Sequence, residues 1–169
     1  MVNLIDHHII EIHLQFTEYH GMKVYYESLV DWKITSDILR CNPSFHGSPR
    51  HDHVIVNVGG GYVMFARLLL LFRYHHPGQP EPYKLAYVLP LDAGIGPRRI
   101  KDRLLNLQLL RAQPLSNARV IAANSIIRGA YIVPESKENN RLYYIVDTID
   151  DSSEMFIRLK QLFPQVYDL

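Results

Sequence analysis

The sequence predicts a mainly β protein, a small antiparallel barrel-like sheet with a helix at its C-terminal end. Short apolar runs rich in β-branched and aromatic residues follow one another along the chain, separated by glycine, proline or polar residues. This pattern is typical of strands joined by tight turns. The chain between the runs lacks the crossover helices that a parallel sheet requires, so we expect antiparallel pairing.

The clearest pair of strands surrounds three glycines. Residues 54–58 and 62–74 are mainly apolar, and Gly59, Gly60 and Gly61 lie between them. Glycine allows the tight reversal of a hairpin, which we predict here. Further strands are predicted over residues 83–91, 118–123, 126–133 and 142–149.

The first half of the chain is less clearly patterned. Apolar residues in residues 1–20 fit a strand and a helical face equally well, so we treat residues 1–22 as a leader and 23–169 as one β-rich domain. Residues 28–39 are expected to be a brief helical or irregular excursion in which Trp32 is a packing residue. Prolines and glycine over 42–49 predict a loop.

The end of the chain predicts a helix over residues 151–163. Acidic residues and serines at 150–154 suit helix capping and the positive end of the helix dipole. Met155, Leu159, Leu162 and Phe163 form an apolar stripe, and Pro164 ends the helix. Leucines at 104–110 fit either a helix or a strand.

The composition is that of one globular domain. The 169 residues are 47% hydrophobic and 21% charged, which fits a single core and argues against disorder over most of the chain. The net charge of +1 provides no overall attraction to nucleic acid or anionic membranes. The single cysteine, Cys41, excludes an intramolecular disulfide, and we expect an intracellular protein without a membrane span.

Nine histidines raise the question of a metal site. His51 and His53 precede the predicted hairpin and His75 and His76 follow it, so both pairs are expected at the same end. With Asp52, these side chains include the ligand types that zinc prefers, and a metal-dependent hydrolase or nuclease is the alternative function. A polar cluster at the sheet edge explains the same residues and is the preferred interpretation, so we expect no cofactor.

One stretch of the chain is locally basic. Arginine and lysine bind phosphates and carboxylates through charge-assisted hydrogen bonds, so this stretch is a candidate contact for nucleic acid or an acidic partner. A solvated loop would have the same composition. The residues are Arg98, Arg99, Lys101 and Arg103.

Three tyrosines and two other residues complete the candidates. Tyr62, Tyr74 and Tyr83 are possible aromatic anchors for a partner if they are exposed. Arg128 lies between apolar strand residues and is expected to be a structural ion-pair partner. Cys41 has no orienting motif around it and is expected to be structural rather than a nucleophile.

Several segments together resemble the C-terminal region of large uncharacterised proteins of basidiomycete fungi, which are similar to Plavaka-type and related transposon-encoded transposases. The resemblance covers about residues 23 to 163. One departure is Pro49-Arg50-His51-Asp52, where that family has Pro-Arg-Tyr-Asp. The segments are residues 24–32 (VYYESLVDW), 37–46 (DILRCNPSFH), 65–68 (FARL), 87–93 (YVLPLDA), 125–130 (SIIRGA) and 146–150 (VDTID).

The resemblance implies a non-catalytic accessory or binding module of transposon origin, separated from the acidic catalytic core of a transposase. Such a module would dock on chromatin, DNA or a partner protein, and it would work in the nucleus. A decayed remnant without activity is the other outcome of that origin. The strand order is also similar to the bromo-adjacent homology fold, a β-barrel of chromatin and protein-interaction modules, and this fold analogy alone does not fix a function.

Overall fold

The computed structural model describes residues 15–28, 32–92, 107–136 and 141–146, and within them the fold is mainly β with antiparallel pairing. The prediction of the fold class is confirmed at this level. The predicted C-terminal helix over 151–163 and the basic stretch over 98–103 lie outside the described residues.

Twelve strands and two short 3-10 segments, Leu115–Asn117 and Ala123–Ser125, make up the regular structure of these ranges. The strands are β1 Gln15–Tyr19, β2 Gly21–Glu27, β3 Ile34–Phe45, β4 Ser48–His51, β5 His53–Gly59, β6 Tyr62–His75, β7 Tyr83–Asp92, β8 Gln108–Ala112, β9 Arg119–Ala122, β10 Ile126–Gly129, β11 Ile132–Pro134 and β12 Leu142–Ile145.

The predicted hairpin forms between β5 and β6. Gly59, Gly60 and Gly61 have φ angles of 85°, 61° and 82°, a conformation that other residues rarely adopt. The side chain of Asn57 accepts a hydrogen bond from the Gly59 backbone N–H at 2.8 Å, which holds the turn.

Nine strands form one sheet in the order β10-β5-β6-β7-β8-β12-β11, with β1 added to β6 and β9 added to β7. Only Ala130 and Tyr131 separate β10 from β11 in the chain. The Ala130 N–H donates to the His53 carbonyl, and the Val146 N–H donates to the Tyr131 carbonyl, each at 2.9 Å. The strands at the two ends of the order, β10 and β11, are therefore consecutive in the chain.

Strands β2, β3 and β4 form a second sheet that covers one face of the first. Successive side chains of a strand point to opposite faces, so β5 contributes to two cores. Val54 and Val56 pack with Leu39 and Cys41 of the second sheet. Ile55 belongs to another cluster, formed with β6, β7, β8, β11 and β12.

The first half of the chain differs from the prediction. Residues 34–45 are strand β3, not a helical excursion, because residues 34–40 pair along the whole of β2 and the remainder pairs with β4. The expected loop over 42–49 is limited to a turn at His46 and Gly47, and an irregularity in the β3–β4 register accommodates Pro43. Trp32 is exposed with a φ of 58°, so it is not a core residue.

The leader boundary predicted after residue 22 falls inside β2, and β1 before it pairs with β6. Residues 1–20 were predicted to form either a strand or a helix, and the described residues among them include strand β1. The predicted strand over 126–133 is divided at Ala130 and Tyr131 into β10 and β11.

Asp37 of β3 joins the second sheet to β10. Its carboxylate accepts hydrogen bonds from the Tyr26 hydroxyl and the Gly129 backbone N–H, each at 3.0 Å. The Nε atom of Arg128, a residue only 8% exposed, lies 4.0 Å from the same carboxylate, as expected of a structural ion pair. A Cβ atom at position 129 would lie 3.2 Å from Asp37 Oδ2, so the close approach favours glycine.

Replacing Asp37 with alanine is expected to lower the free energy of unfolding by about 2 to 4 kcal/mol, because two donors lose their acceptor and the buried Arg128 loses a neighbouring carboxylate. Urea denaturation measures this change. The control is Glu27→Ala at an exposed site at the end of β2, where the change should stay within about 0.5 kcal/mol. Equal stability of the two variants would contradict this role of Asp37.

Candidate functional site

The strand register separates the histidines that the sequence predicted to lie together. His53 pairs with Arg67 of β6, whereas His75 pairs with Gln15 of β1. His75 is eight residues further along β6 than Arg67, which corresponds to roughly 25 Å. The premise that both histidine pairs lie at one end of the hairpin is wrong, because β6 continues past β5. In the part of the chain that the structure describes, no three His, Cys, Asp or Glu side chains are grouped as a metal site.

His51, Asp52 and His53 line a cleft of about 360 Å³ that faces residues 129–133. The carboxylate of Asp52 has structural partners: the Nε atom of Arg50 and the backbone N–H of Arg40 both donate to it at 2.9 Å. These bonds fix the bend between β4 and β5 against β3. The carboxylate is therefore engaged in holding the chain.

The imidazole of His53 lies inside this region beside Arg67. His53 Nε2 and Arg67 Nε are buried and have no hydrogen-bond partner among the described residues. The rings of His53 and Tyr143 are in edge-on contact, with their centres 5.3 Å apart. The Arg67 guanidinium lies 5.9 Å from the centre of the Tyr143 ring. Burial, followed by the charge of Arg67, lowers the pKa of His53 to about 4. This imidazole is neutral near pH 7.

Burial and the charge of Arg67 also lower the pKa of His51. Desolvation opposes the charged form of an imidazole, and a nearby cation adds to the effect. The cleft thus contains two histidines that favour the neutral form and a carboxylate held by structural hydrogen bonds.

Cys41 is buried in the core between the two sheets. Its thiol donates a hydrogen bond to the Tyr19 carbonyl at 3.2 Å. Burial raises the pKa of this thiol to about 11. The thiolate is the nucleophilic form of cysteine, so Cys41 is unsuited to attack a substrate.

A row of three aromatic rings crosses strands β1, β6 and β7. Phe16 pairs with Tyr74, and Tyr74 pairs with Tyr83, so the three side chains share one face of the sheet. Neighbouring ring centres are 5.3 Å and 6.2 Å apart, and the rings are stacked. Phe16 is 58% exposed and Tyr83 is 48% exposed. We call Phe16, Tyr74 and Tyr83 the aromatic row.

The sequence predicted two members of this row and missed the third. Tyr74 and Tyr83 were candidate anchors, and the β6–β7 register brings them together. Phe16 was not singled out because its segment fitted two periodicities. Tyr62 is exposed but begins β6, at the opposite end of that strand from Tyr74.

No protein family, curated protein or solved structure matches this chain. Over the described ranges, no helix has the length and apolar character needed to cross a membrane. The basic stretch predicted from the sequence lies outside these ranges. The aromatic row and the histidine cleft are therefore judged on their own geometry.

Because His53 is buried, we expect the free energy of unfolding to decrease as the pH is lowered from 6.5 to 4. These limits are the ordinary pKa of histidine and the lowered pKa of His53. In this window the unfolded chain binds a proton at position 53 and the folded protein does not. The free energy of unfolding should fall by about 1.4 kcal/mol for each pH unit through this group.

Urea denaturation of the wild type and of His53→Gln at several pH values measures this contribution. In the variant, the dependence of the free energy of unfolding on pH should be smaller by the contribution of one proton. Identical slopes for His53→Gln and the wild type would show that His53 is not buried in its neutral form.

The thiol of Cys41 is expected to resist alkylation in the folded protein. Iodoacetamide at pH 8 should modify it at least tenfold more slowly than in urea, because burial opposes both access and ionisation. Mass spectrometry of timed samples measures the rate. Rapid modification of the native protein would contradict the structural role of Cys41.

Proposed function

We propose that this protein is a non-catalytic docking module that binds a partner protein through the aromatic row. The observation that carries the proposal is the alignment of three partly exposed rings on neighbouring strands. Aromatic side chains provide much of the binding free energy at protein interfaces, because they bury large areas with few rotatable bonds.

The ring geometry favours a polypeptide over a nucleic acid as the ligand of the row. Proteins that bind single strands present free ring faces on which bases stack. Here Tyr74 lies between Phe16 and Tyr83 at stacking distances, so both of its faces are covered. Ring edges and the outer ring faces remain for contact, which suits aliphatic and aromatic side chains of a partner.

The state of the reactive groups supports a non-catalytic role. Asp37 and Asp52 are held by hydrogen bonds that join strands. Cys41 is buried with a raised pKa, and His53 has a lowered pKa with its Nε2 atom buried. A metal-dependent hydrolase using His51, His53, His75 and His76 would need side chains that the register keeps far apart.

The proposal also includes the origin of the module, its location in the cell and the closure of its sheet. The module originates from a mobile element and acts in the nucleus. Both statements are supported by the sequence segments that resemble transposon-encoded proteins. The closed barrel, with its analogy to the bromo-adjacent homology fold, is supported by the chain of β10 and β11, which adjoins both ends of the strand order. Docking on chromatin would then occur through a chromatin protein.

The proposal is tested with peptides selected from a random displayed library on the full-length protein. The tightest peptide is labelled, and fluorescence anisotropy measures its affinity. Replacing both Phe16 and Tyr83 with serine should weaken binding at least tenfold, because the loss of interface anchors costs about 2 kcal/mol or more. The control is Tyr25→Ser, at a tyrosine that is 66% exposed on β2 and outside the row.

An unchanged affinity of the Phe16 and Tyr83 variant, or selection of no peptide above background, would overturn docking through the row. A labelled DNA duplex is titrated in parallel across a salt series. Steep salt dependence that disappears when the basic stretch is replaced with alanine would assign the function to DNA instead. That variant carries substitutions at Arg98, Arg99, Lys101 and Arg103.

A further inference from the structure

Two cations face each other across β6 and β7. Arg73 pairs directly with Lys84, so their side chains leave the sheet on the same face. Both are exposed, and neither forms an ion pair or hydrogen bond with any described residue. Like charges directly opposite each other destabilise a sheet, so a negatively charged ligand between them would relieve this repulsion.

Arg73 and Lys84 line a mainly apolar groove of about 180 Å³. Tyr19, Met22 and Leu71 line it together with Ala123, and no carboxylate is among the described residues that line it. The volume is below the range of about 300 to 1,000 Å³ that is typical of pockets for whole small molecules. The groove is therefore suited to a single apolar side chain.

The position of Arg73 ties the charge to the groove. Its guanidinium lies over the ring of Tyr19, with 5.0 Å to the ring centre. Stacking of this kind restrains an arginine while its N–H groups stay available to an anion. Positive charge is thus held at the mouth of an apolar recess.

We propose that this groove binds an acidic peptide segment of a partner protein. One apolar side chain enters the recess, and neighbouring carboxylates bind Arg73 and Lys84. The two cations lie on the opposite face of the sheet from the aromatic row, because Arg73 and Tyr74 are consecutive residues of β6 and point to opposite faces.

The observations favour an acidic peptide over a nucleic acid. Nucleic-acid binding sites usually neutralise several phosphates, about 6 to 10 for a tightly bound duplex. This groove has two cations, and the rest of its lining is mainly apolar. A partner with one apolar side chain between carboxylates matches both features.

The test uses a labelled synthetic peptide in which one leucine is flanked by aspartates and glutamates, with fluorescence anisotropy on the full-length protein. The double variant Arg73→Gln with Lys84→Gln should bind it at least tenfold more weakly. The control Lys23→Gln removes an exposed cation that lies over Tyr25, outside the groove, and should change affinity less than twofold.

Two matched peptides test each half of the site. Replacing leucine with alanine should weaken binding at least threefold, and replacing the acids with their amides should abolish it. The variant with serine at positions 16 and 83 should bind the acidic peptide as the wild type does, so failure of the aromatic row and failure of the groove are distinguishable.

Thermal unfolding shows whether the double variant is folded, and its Tm should stay close to that of the wild type because removal of the like-charge contact offsets the loss of stacking between Arg73 and Tyr19. The proposal is overturned if the double variant binds the peptide as tightly as the wild type. Equal binding of the leucine and alanine peptides would exclude the apolar recess, and tighter binding of a labelled single-stranded oligonucleotide would assign the cations to phosphates.

Discussion

The length of β6 is the constraint on which the rest of the structure depends. This strand of 14 residues is longer than any single neighbour, so β5 and β1 share one of its edges while β7 follows the other. Its alternating side chains supply both cores in the middle of the strand. Beyond β5, the same alternation places Tyr74 on one face and Arg73 on the other, so the continuation of the strand generates both candidate surfaces.

Local signals in the sequence predicted the parts of the fold that local chemistry determines. Three glycines could be assigned to a turn because their conformational freedom is intrinsic. Strand β3 was missed because its stability depends on pairing with β2, which the local sequence does not show. Pro43 indicated a loop, but the irregularity in the β3–β4 register allows it to lie within the strand. Tyr74 and Tyr83 could be chosen as aromatic anchors, but Phe16 joins them only through the pairing of β1 with β6.

Two carboxylates hold the two sheets together. Asp37 binds the β10 backbone, and Asp52 fixes the bend that leads into β5. These bonds satisfy the carboxylates at the positions where the sheets approach each other, which is the usual condition for a polar group in a core. Near its C-terminal end, β6 presents Tyr74 of the aromatic row on one face, whereas Arg73 lies opposite Lys84 on the other face.

The stretch from β10 to β11 has a consequence for the order of folding. It bonds to β5 through Ala130 and to β12 through Tyr131, and its partners in β5 are distant in the sequence. Contacts between distant residues form slowly because a long loop must close first. During synthesis, β5 and β6 leave the ribosome well before this stretch, so their apolar faces await partners that arrive late. Until β10 to β12 have been synthesised, the exposed apolar faces of β5 and β6 favour aggregation.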